Sequence, residues 1–189
     1  MKSKPQNPAF LRRFFVKYHD ASGYFHYDLR LEYEGVLRSW ALPKGLSYYP
    51  GDHCEAIEVE DHRREYGPFE GVHPSGTIML WDRGMWEPYP ECIDINACLQ
   101  KGILRFILAG EKLKGGWTLT GSDCQKRNGR SVWTISKNPD SFARSEDAPS
   151  ILEEAPNSVL KNRRTLKEIE RDWHQGKKLP PSEPTLFEM

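Results

Sequence analysis

The 189-residue chain carries 27 Lys plus Arg against 27 Asp plus Glu, so its formal net charge is zero, and 38% of its residues are hydrophobic. That length and apolar content suit one globular domain with a real core. Proteins that track long duplexes usually present a basic face, so a neutral chain is better matched to a local feature such as a strand end. No apolar run is long enough to cross a membrane, and the N-terminus lacks the apolar stretch of a signal peptide. Cys54, Cys92, Cys98 and Cys124 form neither a CxxC pair nor a zinc-finger spacing, which predicts buried thiols in a reduced, cytoplasmic protein.

In chain order, residues 1–18 read as a basic N-terminal arm, since Lys2, Lys4, Arg12, Arg13 and Lys17 stand there without an acid. Short alternating segments follow, with strands expected over 14–17, 24–33, 39–42, 54–60, 77–82, 102–108, 116–120 and 131–137. Breaks such as Pro43-Lys44-Gly45, Pro50-Gly51 and Asn128-Gly129 separate them, and only 95–100 reads as a helix in this region. Many short strands with few helices predict a mainly β fold, a closed barrel or a sandwich. Residues 145–158, rich in Asp, Glu, Pro and Ser, read as a mobile linker. A capping box at Thr165-Leu166-Lys167-Glu168 then opens an amphipathic helix carrying Ile169 and Trp173.

The richest stretch is Phe25-His26-Tyr27-Asp28-Leu29-Arg30-Leu31-Glu32. A strand sends alternate side chains to opposite faces, so His26, Asp28, Arg30 and Glu32 share one face and Tyr27, Leu29 and Leu31 the other. His19 precedes this strand by one short turn, and its imidazole can fold back over the polar face. Two imidazoles and a carboxylate suit a divalent transition metal, and three protein ligands leave positions open for water or substrate. A surface ion pair between Asp28 and Arg30 is the plainer reading of the same residues. The run Ile57-Glu58-Val59-Glu60-Asp61-His62 repeats the alternation, which predicts Glu58, Glu60 and His62 on one face and Ile57 and Val59 on the other.

These blocks, together with Gly35-Val36-Leu37, Pro43-Lys44-Gly45, Glu65-Tyr66, Phe69-Glu70-Gly71, Trp81-Asp82-Arg83-Gly84 and Gly110-Glu111-Lys112-Leu113-Lys114-Gly115, resemble the 3′-phosphoesterase domain of bacterial DNA ligase D. So many ordered blocks are far more specific than one short motif. The resemblance implies a compact closed β-barrel with one or two short helices, covering residues 19–145, followed by a linker and helix over 146–189. It implies His19, His26 and Asp28 as metal ligands, with manganese or another divalent transition metal as the ion. Arg30 and His62 would hold the scissile phosphate, Lys44 would add a cation, and Glu60 and Tyr66 would orient ligands or water. Trp40, Trp81, Trp117 and Trp133 are expected in core or rim packing, with one of them as a candidate base-stacking platform. His53, His73 and His174 are read as ordinary surface or core histidines.

The implied activity is metal-dependent processing of DNA 3′ ends, removing a 3′-phosphate, with removal of a terminal ribonucleotide as a second activity, to leave a hydroxyl for repair and ligation. The alternative is a non-catalytic end-binding module that keeps the barrel and the phosphate pocket. The implied partners are DNA 3′ ends and a separate ligase or other end-joining proteins, in a cytoplasmic, nucleoid-associated and free-standing enzyme. The sequence departs from the family pattern in three places. The His19–His26 turn is one residue longer, Cys54 stands where an arginine is usual, and the glycine-rich turn after Pro74 is missing. Cys54 is expected on the His62 side of the second polar strand if the strand begins that early, with packing in the core after a register break near Pro50-Gly51 as the alternative.

Overall fold

A computed structural model describes residues 12–177, with the side chains of residues 122–125 outside the description. The strands are β1 (Arg13–Asp20), β2 (Phe25–Tyr33), β3 (Val36–Leu42), β4 (Cys54–Arg63), β5 (Gly71–His73), β6 (Gly76–Pro88), β7 (Ile103–Gly110), β8 (Lys114–Arg127) and β9 (Arg130–Lys137). They form one antiparallel sheet in the order β1-β2-β3-β4-β9-β8-β7-β6-β5, and a further β1–β6 pairing closes the first eight of that row into a barrel. The short β5 hangs on the start of β6 outside the ring. The mainly β, closed-barrel expectation holds.

Period-2 alternation fills the interior. Phe14, Val16, Leu29, Leu31, Trp40 and Leu42 point into a core that also takes Trp81, Trp117 and Trp133. All four tryptophans named above are therefore core residues, at 0–6% exposure. Cys92 and Cys98 are buried as expected and Cys54 is half-buried, while the Cys124 side chain lies outside the described residues.

The two ends differ from their expected roles. Part of the basic arm is structural, because β1 begins at Arg13 and pairs with both β2 and β6. Lys17, read as part of the basic arm, is only 1% exposed. The segment expected as a mobile linker packs on the barrel through the buried Ile151 and Ser158, and the residues just after it extend the contact. Phe15, Leu37 and Leu80, on the outer face of β1, β3 and β6, form a second small core with Val159 and Leu160. Its acidic and proline-rich composition hid the short apolar stretch that follows.

Three helices complete the fold: α1 (Ile95–Gln100), α2 (Ile151–Glu154) and α3 (Leu166–His174). α3 has the full capping box, with the Thr165 hydroxyl accepting from Glu168 N–H and the Glu168 carboxylate accepting from Thr165 N–H. It docks on β5 and β6 through Ile169, which is fully buried. Docking supplies the stability that a nine-residue helix lacks alone.

Candidate active site

The outer faces of β1, β2, β3 and β4 form the floor of a 710 Å³ groove. Strand pairing dictates which side chains meet there. His19 is the direct cross-strand partner of His26, and Lys17 is the partner of Asp28. Asp28 is opposite Ala41, and Arg30 is opposite Ser39 on the next strand. The extra residue between His19 and His26 is absorbed in the turn, where Ser22 and Gly23 take positive φ of 58° and 96°, so the register is undisturbed.

One donor atom from each of His19, His26 and Asp28 lies within 4.8 Å of the other two. His26 Nε2 is 3.4 Å from Asp28 Oδ1. Two ligands at about 2.1 Å from one tetrahedral ion stand about 3.4 Å apart, so the pair is already at coordinating separation. His26 Nδ1 is buried with no hydrogen-bond partner among the described residues. The donor set is borderline-soft and anionic, as a divalent transition metal requires.

Hydrogen bonds fix the tautomers of two further groove histidines, His19 and His62. His19 Nε2 stands 3.0 Å from the Ser75 carbonyl oxygen. A carbonyl can only accept, so Nε2 carries the proton and Nδ1 keeps the lone pair. Burial is the main cause of a lowered His19 pKa, which favours the neutral ring. On β3 the Ser39 hydroxyl donates to the Leu37 carbonyl at 2.9 Å, so it accepts from His62 Nδ1–H at 3.2 Å. His62 Nε2 is thereby left as the acceptor. Burial first, and then the Arg30 guanidinium, lower the His62 pKa.

Arg30 is 8% exposed, with one terminal nitrogen 3.5 Å from Asp28 Oδ2 and its Nε lacking a partner among the described residues. Burial pushes Asp28 up, but the His26 hydrogen bond and the Arg30 charge outweigh it and the net shift is downward. Glu32, next on the same face, is held by Arg13 at 2.8 Å and by Arg64 at 2.5 Å, and so closes the row rather than joining the donor set.

The second polar strand does not keep its alternation. Leu37 pairs with His62 and Ser39 with Val59, so two steps along β3 match three along β4. This is a β-bulge, and it reverses which face each later residue takes. Ile57 and Val59, expected opposite to His62, line the groove with it. Glu58 instead accepts from Arg38 and from Trp133 Nε1. Cys54 precedes the bulge and packs against the core on the Ala56 side, away from His62. An arginine at residue 54 would therefore not reach the groove.

Of the remaining residues, Glu60 lies at the groove edge, paired with Arg130 at 2.9 Å, and Tyr66 lines the groove at 51% exposure from a 3-10 turn over Arg64–Tyr66. Lys44 is not brought in. It lines a separate cleft with Cys54 and Arg144, and among the described residues only Pro43 borders both. Sequence reasoning missed much of the rest of the groove lining, including Lys17, Tyr24, His73, Ser75 and Arg130. The cross-strand pairing of Lys17 with Asp28 was a usable signal, whereas nothing local marked His73.

Residues 17–121 match the family described as the DNA Ligase D 3′-phosphoesterase domain. The chain belongs to that family. It is similar to the Multifunctional non-homologous end joining protein LigD of Pseudomonas aeruginosa, 44% identical over an alignment of 161 residues that covers 82% of this chain and 18% of that protein. The protein of the same description from Mycolicibacterium smegmatis is 37% identical over 116 residues, 57% of this chain and 15% of that protein. The Multifunctional non-homologous end joining DNA repair protein LigD of Mycobacterium tuberculosis is 46% identical over 67 residues, 33% of this chain and 9% of that protein. The chain thus spans less than a fifth of the length of these relatives. The phosphoesterase match ends within β8, so β9 and the docked tail lie beyond it. Among the described residues no helix is long and apolar enough to cross a membrane.

Proposed function

We propose that this phosphoesterase-family domain is a hydrolase of phosphate monoesters at DNA 3′ ends, acting in end joining with a divalent metal, manganese first among them. The observation that carries the reading is the juxtaposition of His19, His26 and Asp28 with the under-satisfied Arg30 in one groove. His19, His26 and Asp28 would hold the ion, which supplies Lewis acidity at a phosphoryl oxygen. Arg30 binds the phosphate, because its planar fork of donors matches two phosphate oxygens. His62, neutral and with its lone pair on Nε2, takes a proton from the attacking water. The buried tryptophans leave Tyr24 and Tyr66, 63% and 51% exposed on the groove wall, as the aromatics available to a terminal sugar or base.

The test is release of inorganic phosphate from a 3′-phosphate primer–template, with manganese and with chelator. Metal-dependent release leaving a ligatable hydroxyl supports the reading. Tight binding of the primer without release in any divalent metal would instead favour a non-catalytic end-binding module.

A further inference from the structure

We infer that His73 and Ser75, on the β5–β6 hairpin, are positioning residues that hold His19 in its ligand tautomer and orientation. The inference rests on the reading of His19 as a metal ligand. The protons along the hairpin can be placed from donor and acceptor chemistry. The Ser75 backbone N–H donates to His73 Nδ1 at 3.3 Å, so that nitrogen is an acceptor. The Ser75 hydroxyl lies 2.8 Å from the same nitrogen and is the group that can donate to it. Its oxygen is then free to accept from His19 Nε2–H at 3.2 Å, beside the Ser75 carbonyl at 3.0 Å. One arrangement satisfies every contact: His19 Nε2–H to Ser75 Oγ and O, and Ser75 Oγ–H to His73 Nδ1. In this arrangement the proton on Nε2 leaves Nδ1 as the ligand atom of His19.

The backbone is shaped to permit it. Gly76 has φ of +136°, and a Cβ there would stand 2.1 Å from the Asp20 carbonyl oxygen and 2.9 Å from Ala21 Cα. Only a glycine lets this hairpin close onto the β1–β2 turn, which is what carries Ser75 to His19. The shortened turn after Pro74 therefore becomes a clasp on a metal ligand.

The deciding measurement is manganese affinity of the protein without substrate, from the resonance signal of free Mn²⁺, alongside the melting temperature. His73→Ala is expected to weaken binding several-fold, less than the about tenfold or more that loss of a direct partner of a metal-bound histidine causes, because His73 reaches His19 only through Ser75. Ser75→Ala is expected to weaken it in the same direction. His73→Asn is expected to restore affinity, because its Oδ1 can accept from the same N–H two residues on. Melting should stay unchanged in all three. Wild-type affinity in His73→Ala overturns the inference and leaves the ligand set standing, whereas failure of the wild-type protein to bind Mn²⁺ overturns both. Equal loss in His73→Asn and His73→Ala would also overturn it, since the acceptor would then not matter.

Discussion

His26 and Asp28 sit two residues apart on β2 with their side chains in the groove, while Tyr27 between them and Leu29 after them fill the core. Removing either leaves the core untouched but does not cost the fold equally. His26→Ala is expected to lose metal binding and phosphate release to background with melting near the wild-type value. Asp28→Ala should lose the same activity and also lower the melting temperature, because it leaves the 8%-exposed Arg30 without its carboxylate. Activity assays paired with thermal melts check both, and wild-type turnover in either variant would remove the metal assignment. Arg30→Lys keeps the charge but not the fork. Each hydrogen bond to a charged partner is worth about 1.5–3 kcal/mol, so KM for a 3′-phosphate primer should rise about tenfold or more.

Single elements show where sequence reasoning works and where it stops. β2 pairs with β1 and β3 without a register shift, so the face carrying His26, Asp28 and Arg30 was readable from the letters alone. β4 looked equally regular, yet one extra residue against β3 moved Ile57 and Val59 into the groove and Glu58 out of it. A bulge is a property of two paired strands, so no pattern within one of them reports it. His73 was invisible for a related reason, since the pairing of β5 with the start of β6 brings it to His19 across 54 residues of chain. On β6, Asp82 accepts from the backbone N–H groups of Lys112 and Leu113 at 3.0 and 2.8 Å and so pins the β7–β8 turn. Burial nevertheless pushes its pKa up to about 6. The folded state then binds the proton more tightly than the unfolded one, so this group's stabilisation is full below its ordinary pKa of 3.8 and is lost as pH rises through about 6. Asp82→Asn should flatten that part of the stability profile, which melting curves between pH 4 and 7 would show.

At the scale of the whole molecule, the tail and the groove are mechanically joined. Arg164 donates to Glu70 Oε1 at 2.7 Å, and Glu70 Oε2 accepts from Leu80 N–H and the Ser158 hydroxyl. Phe69, next to Glu70, receives the Lys17 ammonium on its carbonyl oxygen, and Lys17 lines the groove. Composition alone had placed the tail outside the domain, since an acidic, proline-rich stretch reads the same whether it is solvated or clamped. With Glu70 fully buried at its side chain, Arg164→Ala leaves an unpaired charge inside and should cost about 3–5 kcal/mol. Chain termination after Ser145 should lower the melting temperature at least as much, because it also exposes Phe15, Leu37 and Leu80. A denaturant titration of both proteins tests this, and a truncated protein as stable as the full chain would contradict it.

The closure of the ring has a consequence for how the domain can be cut. A fragment bounded by the family match, residues 17–121, would omit β9, the only bridge between β4 and β8 among the described residues. Both strands would then present rows of unpaired N–H and C=O groups, with Ala56 and Leu119 uncovered beside them. Such open margins recruit other chains, so the fragment should associate or precipitate where residues 12–177 stay monodisperse in light scattering. A ring tolerates no missing stave.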